Sequence, residues 1–298
     1  MISLRYWEFG KENLFCHLDH ERLLPRMLMK TLLPKQPLLP PQNTALRLGA
    51  TGFVIGPLVD SLHNQCLLRY DISPITLPSL LSPSADPLLC SSWVVPPLLA
   101  FAYIVLGYIL PRIIEFLPIP RDRLDDEDDI DNDNNEASDT MRQLRNKALL
   151  AVSSTAAIIK LSEVLQTHDS IQIGANVFNM DAGANLQLMA LADLCQWITL
   201  DRTPVALIAA TVTAFGGPLS ELPFVSAGFW EYIPAAADYT PLAMIQPGDV
   251  AVEGLLSSLL GDGYRDLTLS SITGPCYFAV TLDAIALGRY FYSMEARE

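Results

Sequence analysis

"WVVPPLLAFAYIVLGYILPRIIEFL" runs from Trp93 to Leu117. Its apolar side chains go all the way round a helix rather than along one stripe, so no face is left for water. A helix needs ~20 such residues to cross a bilayer core. The prolines lie near the ends, where a helix tolerates them. The segment reads as a transmembrane helix.

Four other stretches repeat the pattern: Ala148–Gln166, Ala182–Leu200, Pro204–Leu222 and Ile272–Ser293. Thr44–Leu68 is a weaker sixth candidate, because it holds Arg47, Asp60 and His63. The expected fold is an all-α membrane protein, six transmembrane helices in a compact bundle over residues 44–293. Residues 1–43 read as a mostly flexible cytosolic tail. It carries six Lys/Arg and the Pro-rich end "LLPKQPLLPPQ", with one short amphipathic helix around Arg22–Leu33. It lacks the continuous apolar core of a signal peptide. Residues 294–298 form a C-terminal tail.

Composition agrees. Half of the 298 residues are hydrophobic and 17% are charged, against ~25% charged in an ordinary soluble domain. Ten of the 33 acids fall in Asp122–Asp139, "DRLDDEDDIDNDNNEASD". The net charge of −14 therefore describes one loop rather than a whole surface. That run cannot bury a core, so 118–147 is expected to be an acidic, disordered cytosolic loop. No basic face is available for nucleic acid. The five cysteines form no CxxC and the four histidines no HExxH, which argues against a disulfide framework or a metal site. No Gly-rich phosphate loop or GxSxG elbow is present. The reading is a protein that is not an enzyme and has no cofactor.

The positive charges test the helix count independently. With the N-terminus in the cytosol, the cytosolic segments are the tail, the 118–147 loop, the corner at Asp201 and the C-terminus. Counting residues at the span ends with these segments, they hold sixteen of the 19 Lys/Arg, and only Arg69, Lys160 and Arg265 lie elsewhere. Inserted membrane proteins keep positive loops in the cytosol. An even number of spans then places both termini there.

"QWITLDRTP" (Gln196–Pro204) is the corner between the fourth and fifth spans. Asp201 and Arg202 sit where side chains reach the headgroups, a tolerable depth for charge. Thr203-Pro204 starts the next helix, and Trp197 lies one turn inside, where indoles favour the interface. Asp193, Trp197 and Asp201 are spaced i, i+4, i+8. At 100° per residue they share an arc of about 80°. A carboxylate two turns inside a span should face protein, water or a polar ligand rather than lipid. Asp60 and Asp283 are further intramembrane acids. Gly52-xxx-Gly56, Ala206-xxx-Ala210 and Ala284-xxx-Gly288 offer close helix packing.

These motifs have a family resemblance. "SSWVVPP" (Ser91–Pro97) resembles the Ser-rich Trp-Trp-Val-Pro-Pro of the Insig family, the insulin-induced gene proteins. "WITLDR" (Trp197–Arg202) is similar to its Trp-Trp-Thr-Phe-Asp-Arg. "PCYFAVTLDAIALGR" (Pro275–Arg289) resembles its last span, and "GFWEY" (Gly228–Tyr232) its Gly-x-Tyr-x-Tyr segment. The order holds from about residue 44 to residue 293.

The resemblance implies a multi-pass protein of the endoplasmic reticulum membrane. It implies a sterol or other lipid as ligand, and polytopic sterol-sensing partners resembling SCAP and HMG-CoA reductase. It puts the partner-binding Asp on Asp201, with Arg202 beside it, and the aromatic near the sterol on Trp197. Gln187 and Asp193 complete the expected lipid site. Gln187 is one turn from Ala184, the position that an ungapped count gives for the family's glutamine. Val94 and Ile198 stand where the family has second tryptophans, and the acidic run, Asp193 and Asp283 are not family features.

The expected function is a non-enzymatic, sterol- or lipid-responsive regulator that retains such partners and controls sterol synthesis. A homo-oligomer fits as well. The alternative is a small transporter using Asp60, Asp193 and Asp283, although no internal inverted repeat is visible. A membrane-bound lipid enzyme is a third possibility, without a His/Asp cluster for acid–base work.

Overall fold

Thr273–Glu295 is the helix around which the others pack. The computed structural model describes residues 38–64, 67–78, 87, 89–117, 134–168, 170–173, 176–245 and 250–298. The expected helix at Arg22–Leu33 and most of the acidic run lie outside the described residues.

Six long helices occur among the described residues: α1 Gln42–Asn64, α2 Val95–Glu115, α3 Asn134–Thr167, α4 Ala182–Leu200, α5 Pro204–Ser226 and α7 Thr273–Glu295. A shorter α6 covers Val250–Leu260. All six expected spans are helical. α3 begins at Asn134 rather than Ala148, so part of the expected loop is helix. Asp139, in the second turn, favours the positive end of the helix dipole.

The fold is not purely helical. Among the described residues, three antiparallel strand pairs join the helices. β1 (Leu68–Tyr70) pairs with β6 (Trp230–Tyr232), β2 (Pro74–Leu77) with β3 (Leu89–Ser92), and β4 (Ser170–Ile173) with β5 (Asn176–Asn179). The strands are too short for a periodic signal in sequence.

α1, α2, α3 and α5 are long and apolar enough to cross a membrane. α4 and α7 fall short of that composition, and their surroundings explain why. α7 packs against α1, α2, α3, α4 and α5. Each of those five helices exposes large apolar side chains, such as Phe53, Phe101, Leu149, Leu191 and Phe215, while α7 exposes none. A helix enclosed by others need not be apolar. α4 turns Asn185, Asp193 and Gln196 inward and leaves Leu191, Leu194 and Ile198 outside.

Small residues make this enclosure possible. Gly52 and Gly56 of α1 lie against Leu99 of α2. Ala206 and Ala210 of α5 are fully buried in a cluster with Leu282 and Ile285 of α7. Within α2, Val105–Ile109 forms a π-helical turn, and the Leu110 N–H reaches back to the Val105 carbonyl. Pro111 has no N–H to offer the Gly107 carbonyl, which instead meets Gly288 of α7 so closely that a Cβ there would overlap it.

Polar groups fasten α7 in place. The Tyr103 hydroxyl donates to the Asp283 carboxylate at 2.8 Å. Thr213 and Thr281 share a hydrogen bond at 2.6 Å. Thr155 donates to the Ala279 carbonyl at 3.2 Å and accepts from the Gln196 amide at 2.8 Å. Interhelical bonds of this kind contribute about 0.6 kcal/mol each in a membrane protein.

Gly288→Ala is expected to destabilise the fold by about 1–3 kcal/mol through overpacking against Gly107. Gly216 has open space around it, and Gly216→Ala should be neutral or stabilising by up to about 1 kcal/mol. Thermal unfolding of both variants in detergent checks the contrast; equal melting temperatures would contradict it.

Candidate functional site

The Asp201 corner is built by the end of α4 and the start of α5. The N–H groups of Asp201 and Arg202 both donate to the Trp197 carbonyl, at 3.0 and 3.1 Å. Arg202 takes a left-handed backbone, φ 60°, unusual without glycine. Its Nε donates to the Ile198 carbonyl at 2.6 Å, which holds that conformation. The Thr203 side chain caps α5 by accepting from the Ala206 N–H at 3.3 Å, with Pro204 in the first turn. The Trp197 indole donates to the Thr203 carbonyl at 3.1 Å, so it ties the corner together from below.

Asp201 does not pair with its neighbour Arg202. Its carboxylate accepts from Arg289 of α7 at 2.5 Å and from the Thr203 hydroxyl at 3.0 Å. The Asp201 side chain is 7% exposed and that of Arg289 44%. This ion pair joins the corner to α7 at the same end of the bundle where Thr44 of α1 donates to Glu295.

One turn after another along the same face of α4, Asp193 opens into a different feature. A groove of about 860 Å³ lies between α4 and α5, with α7 as its floor. Leu194, Leu207, Phe215, Pro218 and Phe278 contribute its apolar walls. Its size is in the range of sites that hold drug-sized ligands. Asp193 lines it, is 4% exposed, and its Oδ1 has no hydrogen-bond partner among the described residues. Burying a polar group without a partner costs roughly 2–7 kcal/mol, so this carboxyl is the unsatisfied point of the groove.

A second, smaller cavity of about 130 Å³ lies on the far side of α7. Asp60 and Glu221 line it, with Tyr70, Trp230, Tyr232 and Tyr277. Glu221 is buried and accepts from the hydroxyls of Tyr232 and Tyr277, at 2.7 and 2.9 Å, and from the Trp230 indole at 3.3 Å. Burial, and then the adjacent Glu221 carboxylate, push the Tyr232 hydroxyl well above the usual tyrosine range, so it remains a donor. Glu221 escaped the sequence reading because it closes a long Ala/Thr-rich run. A lone acid among apolar residues was the available signal.

The structure thus puts Asp193, Trp197 and Asp201 on one inward face of α4, as their spacing implies. It separates their surroundings. Asp193 lines the groove, whereas Trp197 packs in the cluster of Leu200 and Leu282. Gln187 is exposed and is not among the residues lining the groove. Asp60 lines the smaller cavity and Asp283 pairs with Tyr103.

No protein-family model and no curated protein matches the sequence. Solved structures do. The chain is similar to a mycobacterial Insig homolog, MvINS from Mycobacterium vanbaalenii, with TM-score 0.50 and 17% identity. It is equally similar to a cross-linked trimer of an MvINS variant, with TM-score 0.50 and 18% identity. Each match covers 85% of this chain and 96% of the other. The fold is Insig-like. The resemblance first carried by four short motifs extends to the three-dimensional arrangement of the helices.

The corner predicts a coupled pair. Asp201→Asn and Arg289→Gln should each lower stability, and the double variant should lose about 1 kcal/mol less than their sum. Chemical or thermal unfolding of all four proteins measures this coupling. Additive losses would mean that Asp201 and Arg289 are neighbours without an energetic link.

Proposed function

We propose that the chain is a non-enzymatic, lipid-responsive regulator with six transmembrane helices and both termini in the cytosol, resident in the endoplasmic reticulum membrane. Its ligand, a sterol or another lipid, occupies the groove between α4 and α5. Its Asp201 corner engages a polytopic, sterol-sensing membrane partner of the SCAP or HMG-CoA reductase kind. The observation that carries this reading is the groove itself: apolar walls, lipid-sized volume and one buried acid. The Insig-like fold supports it, and the belt of exposed apolar side chains on the five outer helices supports a membrane setting.

The corner suits a docking role because Arg202 is exposed and projects beside a rigid turn. Asp201 is already tied to Arg289, so it would present the corner to a partner as much as touch it. The trimeric MvINS crystal form makes a homo-oligomer part of the proposal.

The test is native mass spectrometry of protein purified in mild detergent. Wild type should retain a lipid, and a polytopic partner should co-purify. Ala190 lines the groove; Ala190→Trp should fill it and reduce retained lipid about tenfold, equivalent to ~1.4 kcal/mol. Asp201→Ala should reduce partner recovery more than Arg289→Gln, which breaks the same ion pair. Lipid content indifferent to Ala190→Trp would contradict the groove as the site. Proton-coupled flux in liposomes would favour transport instead.

A further inference from the structure

The short helix α6 is built the wrong way round for a helix that meets water. Its one charged residue, Glu253, pairs with Arg265 at 2.6 Å. At 100° per residue, Glu253 shares a side with Leu256 and Leu260, which pack with Leu222 and Val225 of α5. The opposite side carries Ala251, Val252, Leu255, Ser258 and Leu259, all exposed and none charged. Leu255 is 58% exposed and Leu259 65%. The outward face is therefore the apolar one.

Its position says what covers that face. α6 rests on the last turn of α5, at the end of the bundle opposite Asp201, where the Ser226 hydroxyl donates to the Leu260 carbonyl at 2.7 Å. Leu219, one turn before Leu222, is exposed, so the apolar exterior of α5 continues onto α6. Trp93 is exposed at the same end, two residues before Val95, which packs with Tyr70 and Trp230. Indoles gather at the depth of the membrane interface. The eleven residues of α6 reach roughly 16 Å, about half of a bilayer core, so the helix cannot cross. Polar turns flank it, Pro247-Gly248-Asp249 before and Gly261-Asp262-Gly263 after. One face of so short a helix offers at most a few hundred Å², well below the ~800 Å² per partner that a stable protein interface buries.

We propose that α6 is an interfacial helix: it lies along the membrane surface with Val252, Leu255 and Leu259 among the lipid acyl chains of that leaflet. Such a face sits about 5–10 Å into the boundary between head groups and chains. The α5–α7 connection, which also supplies Tyr239 and Pro241 to the groove, is then held by lipid on one side of α6 and by the bundle on the other.

The test uses the full chain in dioleoylphosphatidylcholine vesicles, with the photocrosslinker p-benzoylphenylalanine placed at Leu255 or Leu259. The same probe at Phe101, exposed on α2, and at Asp71, exposed and paired with Arg69, supplies a lipid-facing and a water-facing reference. Melting temperatures confirm that each variant is folded. Mass spectrometry after illumination should find phospholipid adducts at 255, 259 and 101, and none at 71. Covalent dimers in place of lipid adducts at 255 and 259 overturn the proposal in favour of a second copy of the chain. Adducts at 101 with none at 255 or 259 place α6 in water and overturn it as well.

Discussion

The structure depends on enclosing α7. Asp283, Thr281 and Thr273 are buried along its length, and none could face hydrocarbon without losing its hydrogen bonds. Five helices surround it, and the polar contacts recur at successive levels. Arg289 meets Asp201, Asp283 meets Tyr103, Thr281 meets Thr213, and Tyr277 meets Glu221. Close approach is the condition for all of them, and glycine and alanine at the crossings provide it. The π-helical turn in α2 belongs to the same scheme, since it carries Gly107 against Gly288.

Among the described residues, buried side-chain oxygens without a hydrogen bond occur on both α7 and α4, at Asp283 Oδ1 and at Asn185 Oδ1, Asp193 Oδ1 and Gln196 Oε1; of these residues, Asp193 lines the groove. At Asp193 the unsatisfied oxygen also borders an apolar recess, the kind of departure from local consistency found at functional positions. The corner two turns away is the opposite case. There Asp201 is held by Arg289 and Thr203, and even the strained Arg202 is fastened through its own Nε. A rigid corner beside an open groove puts both of the proposed sites at one helix.

Much of this was legible in the sequence. Apolar runs located all six helices, and the i, i+4, i+8 spacing placed Asp193, Trp197 and Asp201 on one face. The small-residue triples fell on real crossings. The failures have physical causes. The Asp201 partner could not be read, because Arg202 is adjacent in sequence while Arg289 is adjacent in space. Trp197 and Asp193 share a face, yet face direction says nothing about which part of it opens into a recess. Glu221 was missed because its three donors come from two other segments. The short strand pairs were invisible because three or four residues carry no period.

The claim that α4 and α7 cross the membrane despite their polar residues is the centre of this account. Mapping with engineered N-glycosylation acceptors in microsomes tests it most directly. If all six helices cross with both ends in the cytosol, acceptors within 239–245 are modified. Acceptors within 125–131 and after Glu295 are not. Modification beyond Glu295, or its absence at 239–245, would mean that α7 does not cross as proposed, and the enclosed-helix account would fall with it.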